Sequence, residues 1–268
     1  GLAPKTINFK DKKDSEVISS IISSYGLTKA VGATTYKHPN LVQYNASDWE
    51  FVKDRAKANG MIVICDAGKL DIKAPVVSGT PVLDLDYGSN IMAFNAQLDG
   101  TSQLKGASYQ SWTSATQKLA KGVGAEATVT AHGNITASTL SKEAGKPEIA
   151  LSTSTPEDAT VLKAMADAEV LFSRLSKING TVSFVGSTKP NPGKLIGLSG
   201  FVARFNGTAF ISSVMHEVKG GFWKTHVGFG LPYDAMKSNA SLGKDKAIGN
   251  LQAIPGLQIG KVKQIDKD

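Results

Sequence analysis

Two segments in the first 60 residues place apolar residues at helical spacing. Between 14 and 25 these residues recur three and four apart, which predicts an amphipathic helix that Gly26 ends. A second helix is predicted to begin at Ser47, because its hydroxyl and the Glu50 side chain can form a capping box. The buried face of this second helix is expected to carry Trp49, Val52 and Ala56.

Beyond residue 60 the pattern changes from helical spacing to the alternation that is typical of strands. Strands are predicted at 61–65, 70–74, 81–85 and 91–98. The first two flank a turn at 66–68, which predicts a hairpin. The segment 108–121 fits a strand and an amphipathic helix equally well, so both structures stay open there.

The third predicted helix has the clearest start signals of the chain. Thr155 is the expected cap, and Pro156 occupies the first turn, where no backbone N–H is needed. Glu157 and Asp158 follow and favour the positive end of the helix dipole. The packing stripe of this helix is expected to consist of Val161, Met165, Ala168, Phe172 and Leu175. Asn179, with a glycine after it, is the expected end.

The residues after 180 alternate as in an antiparallel sheet, with strands predicted at 181–186, 194–198, 210–218 and 222–229. Gly220-Gly221 favours a two-residue hairpin turn, which sets Val218 opposite Trp223. The same register sets Met215 opposite His226. The face expected to be buried carries Phe210, Val214, Val218, Trp223, Val227 and Phe229. The face expected to be wet carries Glu217, Lys224 and His226.

The composition is typical of a chain with a packed core, and it does not indicate a particular function. Of the 268 residues 41% are hydrophobic, and 30 basic residues against 23 acidic ones give a net charge of +7. A basic chain can bind an anionic partner, but these basic residues are scattered and form no stripe with interleaved aromatics. The sequence therefore predicts no nucleic-acid partner. A nucleic-acid binder stays as an alternative that salt-sensitive DNA binding would support.

The single cysteine and the hydropathy pattern set further limits. Cys65 ends the apolar run 61–65, cannot form an internal disulfide and is expected to be buried. No apolar stretch approaches the ~18 residues of a membrane span, and no signal peptide opens the sequence. Export would therefore use a route other than a cleaved secretory signal.

The candidate catalytic and metal-ligating residues do not assemble into a site. His216 and the glutamate after it resemble the start of a zinc-protease motif, but Gly220 stands where the second histidine should be. His216 and His226 also point to opposite faces of the predicted hairpin. Asp84 and Asp86 share a strand face with a spacing that would allow glycoside hydrolysis, and a solvated strand surface is the preferred interpretation. The sequence predicts no enzyme, and no catalytic, cofactor or metal site.

Three stretches carry further motifs, and their order is informative. The first, 41–52, reads LVQYNASDWEFV, with Arg55-Ala56 and Asn59-Gly60 after it. The second, 193–230, contains RFNG, VMHE, GFWKT and FG in that order. The third, 254–262, reads IPGLQIGKV. Together they resemble the baseplate-hub portion of VgrG-type spike proteins, which belong to type VI secretion and related contractile injection systems.

The resemblance implies a structural role for the motif residues. Those expected to matter for the fold are Tyr44, Asn45, Asp48, Trp49, Arg204, Phe205, Asn206, Gly207, His216, Trp223, Gly228, Phe229 and Gly230. It further implies a homotrimer in which each subunit offers two similar β-barrels, so that three chains seat a hexameric tube protein. Baseplate components and secreted effectors are the other implied partners. The protein would assemble in the cytoplasm and then be exported.

The expected fold is α+β and mainly antiparallel β, with barrel-like subdomains of the tail-tube or baseplate-hub type and about three helices. Its expected segments are a helical and β segment at 1–60, a β-rich middle at 61–154, a helix with a tube-type barrel at 155–233, and a linker at 234–268. The family's first barrel would precede Thr6, and its OB-fold and needle would follow the linker.

The expected function is that of a trimeric adaptor that joins the tube to the membrane-puncturing spike and aids effector delivery. The alternative is a phage-tail-associated hydrolase that cleaves cell wall or glycan through Asp84 or Asp86. Loss of such cleavage by the purified chain, when both are changed to Asn, would favour the hydrolase.

Overall fold

The computed structural model describes residues 3–66, 68–113, 117–145, 148–153 and 157–232. The helices in these ranges are α1 (Asp14–Ser23), α2 (Asp48–Ala58), α3 (Ala137–Glu143) and α4 (Ala159–Leu175). The strands there are β1 (Pro4–Lys13), β2 (Thr28–Val31), β3 (Lys37–Ser47), β4 (Ile62–Asp66), β5 (Lys69–Lys73), β6 (Asp84–Asp86), β7 (Ile91–Leu98), β8 (Ala107–Thr113), β9 (Lys118–Val123), β10 (Ile149–Thr153), β11 (Ile178–Val185), β12 (Leu195–Ser199), β13 (Gly207–Lys219) and β14 (Phe222–Phe229).

The sheets are mainly antiparallel, and one of them curls into a half-barrel, which confirms the expected α+β barrel-like fold. The predicted linker at 234–268 and the third motif at 254–262 lie outside the described residues. Within the described ranges, no helix combines the length and the apolar character needed to cross a membrane.

The N-terminal part of the chain packs two helices against two small sheets. β1 pairs antiparallel with β3, and the other sheet has the order β2-β5-β4. The predicted apolar face of α1 is buried in the shared core at Val17, Ile18, Ile21 and Ile22, whereas Tyr25, beyond the end of the helix, is 43% exposed. The capping box of α2 is present: Ser47 Oγ accepts a bond from the Glu50 N–H at 3.2 Å, and Glu50 Oε2 accepts one from the Ser47 N–H at 3.2 Å.

Two burial predictions in this part are wrong. Trp49 is 38% exposed, and Phe51 takes its place in the core. Both residues fit helical spacing with Val52 and Ala56, so the pattern by itself could not separate them. Cys65 is exposed, because strand alternation on β4 turns Ile62 and Ile64 inward and Cys65 outward.

A buried carboxylate joins α1, β3 and α2. Asp14 accepts bonds from Arg55 Nε at 2.6 Å and Arg55 Nη2 at 2.9 Å. It also accepts a bond from Asn59 Nδ2 at 2.9 Å and lies 3.2 Å from His38 Nε2. Burial alone would raise the pKa of Asp14, but the charge of Arg55 and these hydrogen bonds hold it well below its ordinary value.

The open segment 108–121 forms two strands and no helix. β8 and β9 make an antiparallel hairpin, and β10 adds to β8 in parallel. One side of this sheet packs on α4. Both α3 and β10 were missed by the sequence pattern, because each is short and lies among small polar residues.

Helix α4 begins later and ends earlier than predicted. Asp158 is its N-cap and accepts a bond from the Thr160 N–H at 2.7 Å, whereas Thr155 and Pro156 lie outside the described residues. The helix ends at Leu175, and Asn179 with the glycine after it belongs to β11. These residues form a strand and do not end the helix, because β11 pairs with β14 on one side and with β7 on the other.

The half-barrel is the largest sheet, with the order β6-β12-β13-β14-β11-β7. Its two edge strands, β6 and β7, are joined by only residues 87–90, so the sheet must curl to bring its edges together. Residues from its strands share one buried core, which includes Leu85, Ile178, Val182, Phe184, Ile196, Leu198, Ile211, Val227 and Phe229. The predicted hairpin register is confirmed, with Val218 opposite Trp223 and Met215 opposite His226.

The predicted apolar face of this hairpin is wrong at both ends. A β-bulge between Ile211 and Ser213 turns Phe210 to the other side of the sheet, where it packs with Phe172 of α4. At the turn, Val218 is 74% exposed. The buried face is therefore the middle of the hairpin, with Ile211 in place of Phe210.

A strap, defined here as residues 124–136, crosses the end of the half-barrel. The Thr208 N–H donates to Ala131 O at 3.0 Å, and His132 Nε2 lies 3.2 Å from Phe205 O. His132 is 7% exposed and packs edge-on against Phe229. Burial lowers the pKa of His132 to about 4.

Removing the charge of Asp14 should destabilise the fold. Asp14→Asn leaves Arg55 largely buried without its counter-charge, and we expect a loss of about 3–5 kcal/mol in the free energy of urea unfolding. Lys163→Gln, which breaks an exposed pair with Asp167, is the control and should change it by under about 0.5 kcal/mol. Equal effects of the two variants would contradict the role given to Asp14.

Two groups should give opposite slopes of stability against pH. Because the pKa of His132 falls from 6.5 to about 4, the unfolded chain binds the proton first and acid destabilises the fold in this range. Asp54 Oδ2 is buried without a hydrogen-bond partner, and burial raises the pKa of Asp54 from 3.8 to about 6. Here the folded chain binds the proton first, so acid stabilises it.

As the pH falls from about 6 to about 4, we therefore expect His132→Gln to gain stability relative to the original protein at the same pH, and Asp54→Asn to lose it. Urea unfolding at several pH values in this window measures both slopes. If the difference in unfolding free energy from the original protein changes in the same direction with pH in both variants, the opposite pKa shifts of His132 and Asp54 would be contradicted.

Candidate assembly surface

The loop after β12 closes the gap between the two edges of the half-barrel. Phe201 stacks on Phe94 of β7 at 3.9 Å between ring centroids, and Tyr87 lies against it at 5.0 Å. Phe205 meets Phe94 edge-on at 6.0 Å. We call Phe201 and Phe205 the plug, because their rings fill the opening that the short turn at 87–90 leaves.

The RFNG motif shapes this plug. The Phe201 N–H donates to Asn206 Oδ1 at 3.0 Å, and Asn206 Nδ2 donates to Phe201 O at 3.1 Å. Gly207 has φ +128, and a Cβ there would lie 2.3 Å from Ala131 O, so only glycine lets the strap approach. Arg204 is exposed. The RFNG motif thus fixes the backbone that carries the two rings of the plug.

The end of the second motif lies at the strand that joins plug and strap. Phe229 is 1% exposed and stacks on Phe94 at 5.8 Å. Gly230 has φ +72, and a Cβ there would lie 2.3 Å from Ile178 O. Gly228 lies beside Ser213, where the β-bulge brings the two strands together.

The far end of the β13–β14 hairpin forms an arm, defined as residues 215–223, in which every residue is exposed. β12 pairs with β13 only over Gly207–Phe210, so the arm extends beyond β12. At the base of the arm the Gly186 N–H donates to Trp223 O at 2.8 Å. Its exposed apolar residues are Met215 (59%), Val218 (74%), Phe222 (47%) and Trp223 (36%). These residues lie on both faces of the ribbon.

The two histidines of the hairpin have separate partners. His216 Nδ1 lies 3.1 Å from Thr225 Oγ1, and the ring packs edge-on against Trp223. His226 Nδ1 lies 2.7 Å from Ser183 Oγ on the opposite face. No group of histidine, cysteine, aspartate or glutamate side chains that could hold a metal is found among the described residues.

The first motif lies in the N-terminal unit, away from the plug. Asp48 is buried and accepts bonds from Lys5 Nζ at 2.7 Å, from Gln43 Nε2 at 2.9 Å, and from the Tyr25 hydroxyl. Burial would raise the pKa of Asp48, but these three hydrogen bonds outweigh it and lower it to about 2. Trp49 is exposed, with Lys53 Nζ 6.0 Å from the centre of its ring.

The neighbouring residues of this motif form an irregularity in the β1–β3 pairing. The register shifts between Lys5 and Ile7, opposite Tyr44 and Asn45. Asn45 has φ 44, a left-handed conformation that asparagine tolerates better than most residues. Tyr44 is half-buried on β3. The structure thus separates the motif residues into an N-terminal group and a half-barrel group.

Asp84 and Asp86 do not form a catalytic pair. Asp86 accepts bonds from Ser199 Oγ at 2.9 Å and from the Gly88 N–H at 3.1 Å, so it holds the turn after β6. Asp84 is exposed on the edge strand. The sequence pattern missed Phe201, Phe94 and His132, because their contacts join segments that are far apart in the chain.

Asn206→Ala should destabilise the plug. Loss of both side-chain hydrogen bonds to Phe201 leaves its backbone groups unpaired, and we expect a loss of about 1–3 kcal/mol in the free energy of urea unfolding. Asn206→Asp retains the acceptor for the Phe201 N–H, and its other oxygen can donate to Phe201 O only when the carboxyl is protonated, so its loss should be smaller at low pH than where the carboxylate is ionised. An Ala variant as stable as the original protein would contradict this role.

Several solved structures of tail proteins have this fold. A 43 kDa tail protein of prophage MuSo2 from Shewanella oneidensis aligns with a TM-score of 0.61 at 13% identity, over 86% of this chain and 69% of that one. A tail protein from Neisseria meningitidis MC58 gives 0.61 at 13%, over 85% and 70%. Prophage tail protein gp18 from Listeria monocytogenes EGD-e gives 0.50 at 9%, over 85% and 68%.

These likenesses establish the fold that the tail proteins share with this chain. Among curated proteins no sequence matches the chain. The family model described as the Alg8 N-terminal domain matches residues 2–220, which include the N-terminal motif group and the half-barrel group as far as His216. The protein therefore belongs to the Alg8 N-terminal domain family.

Proposed function

We propose that this chain is a structural hub of a contractile injection machine, similar to the hub of VgrG-type spikes. As a homotrimer it would join a hexameric tube to the puncturing spike and aid effector delivery. The fold shared with prophage tail proteins supports a part of this kind. The baseplate-hub motifs in the sequence support the finer assignment.

The arm is the observation that carries the proposal. A two-stranded ribbon is marginally stable by itself in water, and this one exposes apolar side chains on both faces. A partner that covered these side chains would remove apolar surface from water and hold the ribbon in place. A machine part whose surfaces are completed by neighbours would have this construction.

A ring of identical chains needs contacts between two different surfaces of each chain, repeated head to tail until the ring closes. The half-barrel would supply one of the two barrels that we propose for each subunit. Three subunits would then offer six similar surfaces to a tube of six.

Our proposed partners are proteins: the tube protein, baseplate components and effectors. Assembly in the cytoplasm followed by export with the tube is part of the same proposal. The hydrolase alternative is not favoured, because Asp86 is engaged in a turn and Asp84 stands alone on the surface.

Charges placed on the arm should block assembly and leave the fold intact. We expect Val218→Asp and Phe222→Asp to abolish self-association in analytical ultracentrifugation, because both side chains are exposed in the single chain. Their thermal unfolding should match that of the original protein. Leu27→Asp, at a residue that is 44% exposed on another surface, is the control and should associate normally.

A protein that stays monomeric at its highest soluble concentration would overturn the hub proposal. Normal association of both arm variants would remove the arm from it.

A further inference from the structure

Apart from Val76 and Met92, the large exposed hydrophobic residues of the described part of the chain fall into four groups according to the segments that carry them. One group, Ile7, Tyr25, Leu27 and Trp49, belongs to the N-terminal unit. A second, Trp112, Leu119 and Val123, lies on the β8–β9 hairpin. The third is the arm with the adjacent Val185. The fourth consists of Tyr87 (59%) and Val202 (69%), at the outer side of the plug.

The charges beside these groups differ in sign. Lys5 and Lys53 lie over the rings of the N-terminal group. Lys118 and Lys121 lie on the β8–β9 hairpin. Beside Tyr87 and Val202 the charged residues are two aspartates and a single basic residue, Asp84, Asp86 and Arg204. We call this fourth group, Tyr87 and Val202 with Asp84, Asp86 and Arg204, the corner. Among the four groups, it is the one in which acidic residues outnumber basic ones.

The arm is complementary to the corner in charge and in apolar character. Glu217 of the arm faces Lys224 across the hairpin and lies 3.2 Å from His226 Nε2, so it has basic groups beside it on the same chain. Lys219, at the tip, has no counter-charge among the ion pairs of the described residues. The tip therefore presents a positive charge between Val218 and Phe222, as a partner for an acidic, apolar surface.

The geometry points to a head-to-tail contact in which the arm of one copy of this chain docks on the corner of the next copy. This inference rests on the proposed ring of identical chains, and it names the two surfaces that would meet. Val218 and Phe222 would cover Tyr87 and Val202, and Lys219 would approach Asp84.

The corner is well suited to receive a partner because its residues are already held in place. Tyr87 packs on Phe201, and its N–H donates to Ser199 O at 3.0 Å. Asp86 fixes the turn through bonds from Ser199 and Gly88. A docked arm would therefore order few side chains of the corner, which favours binding. Within the described residues the exposed carboxylate of Asp84 accepts no hydrogen bond, so it can pair with a cation of a partner.

A charge-reversal cycle tests the contact. Lys219→Glu and Asp84→Lys, each made alone, should weaken self-association by about tenfold or more in analytical ultracentrifugation. The double variant restores opposite charges and should associate within about threefold of the original protein. Lys10→Glu, an equal charge change on β1, is the control and should have no effect.

A second measurement does not depend on the charge variants. In a Cys65→Ser background, one copy carries Asp84→Cys and a second copy carries Lys219→Cys. A short thiol cross-linker should join the two copies when they are mixed and should leave each copy unjoined when it is alone. Thermal unfolding of every variant identifies any that fails to fold.

The outcomes separate this contact from the hub proposal. If the original protein associates, but the double variant is not restored and the mixed copies do not cross-link, the contact is wrong and the ring can stand. If the original protein never associates, the hub proposal fails and this contact fails with it.

Discussion

The half-barrel depends on one geometric constraint, the four-residue connection between its opposite edges. Residues 87–90 join β6 to β7, which lie at the two ends of a six-stranded sheet. The sheet must curl to satisfy this connection, and curling leaves an opening that water would otherwise reach. The rings of Phe201 and Phe205 fill it, and Asn206 fixes the backbone that carries them. Strap, plug and core therefore form one cooperative structure around this constraint.

The β-bulge in β13 divides the hairpin between two tasks. Before the bulge, Phe210 faces α4 and helps to hold the helix on the sheet. Beyond it, Ile211 and Val214 face the half-barrel core, and the strand then continues past every neighbour except β14. One end of the hairpin thus packs on the core, and the other end extends beyond the neighbouring strands of the sheet. An anchored ribbon with apolar faces is well placed to bind a neighbouring subunit.

The buried charges of the described residues stabilise the fold by joining separate elements. Asp14 and Asp48 each accept bonds from several elements that meet in the N-terminal unit, which explains why Asp48 stands in the first motif. His132 is held neutral under the strap, and Asp54 is held in an unfavourable charged state, so their effects on acid stability oppose each other. Stability near neutral pH therefore depends on contacts more than on titration.

The sequence by itself determined the local structure: the capping box at Ser47, the hairpin register set by Gly220-Gly221, and the mixed α+β character. These follow from interactions between residues that are near in the chain. Tertiary structure alone decided the burial of Phe51 over Trp49, the rotation of Phe210 at the bulge, and the meeting of Phe94 with Phe201. Spacing fixes which residues share a face, but the neighbour that covers a face comes from a distant segment, and no local pattern records it.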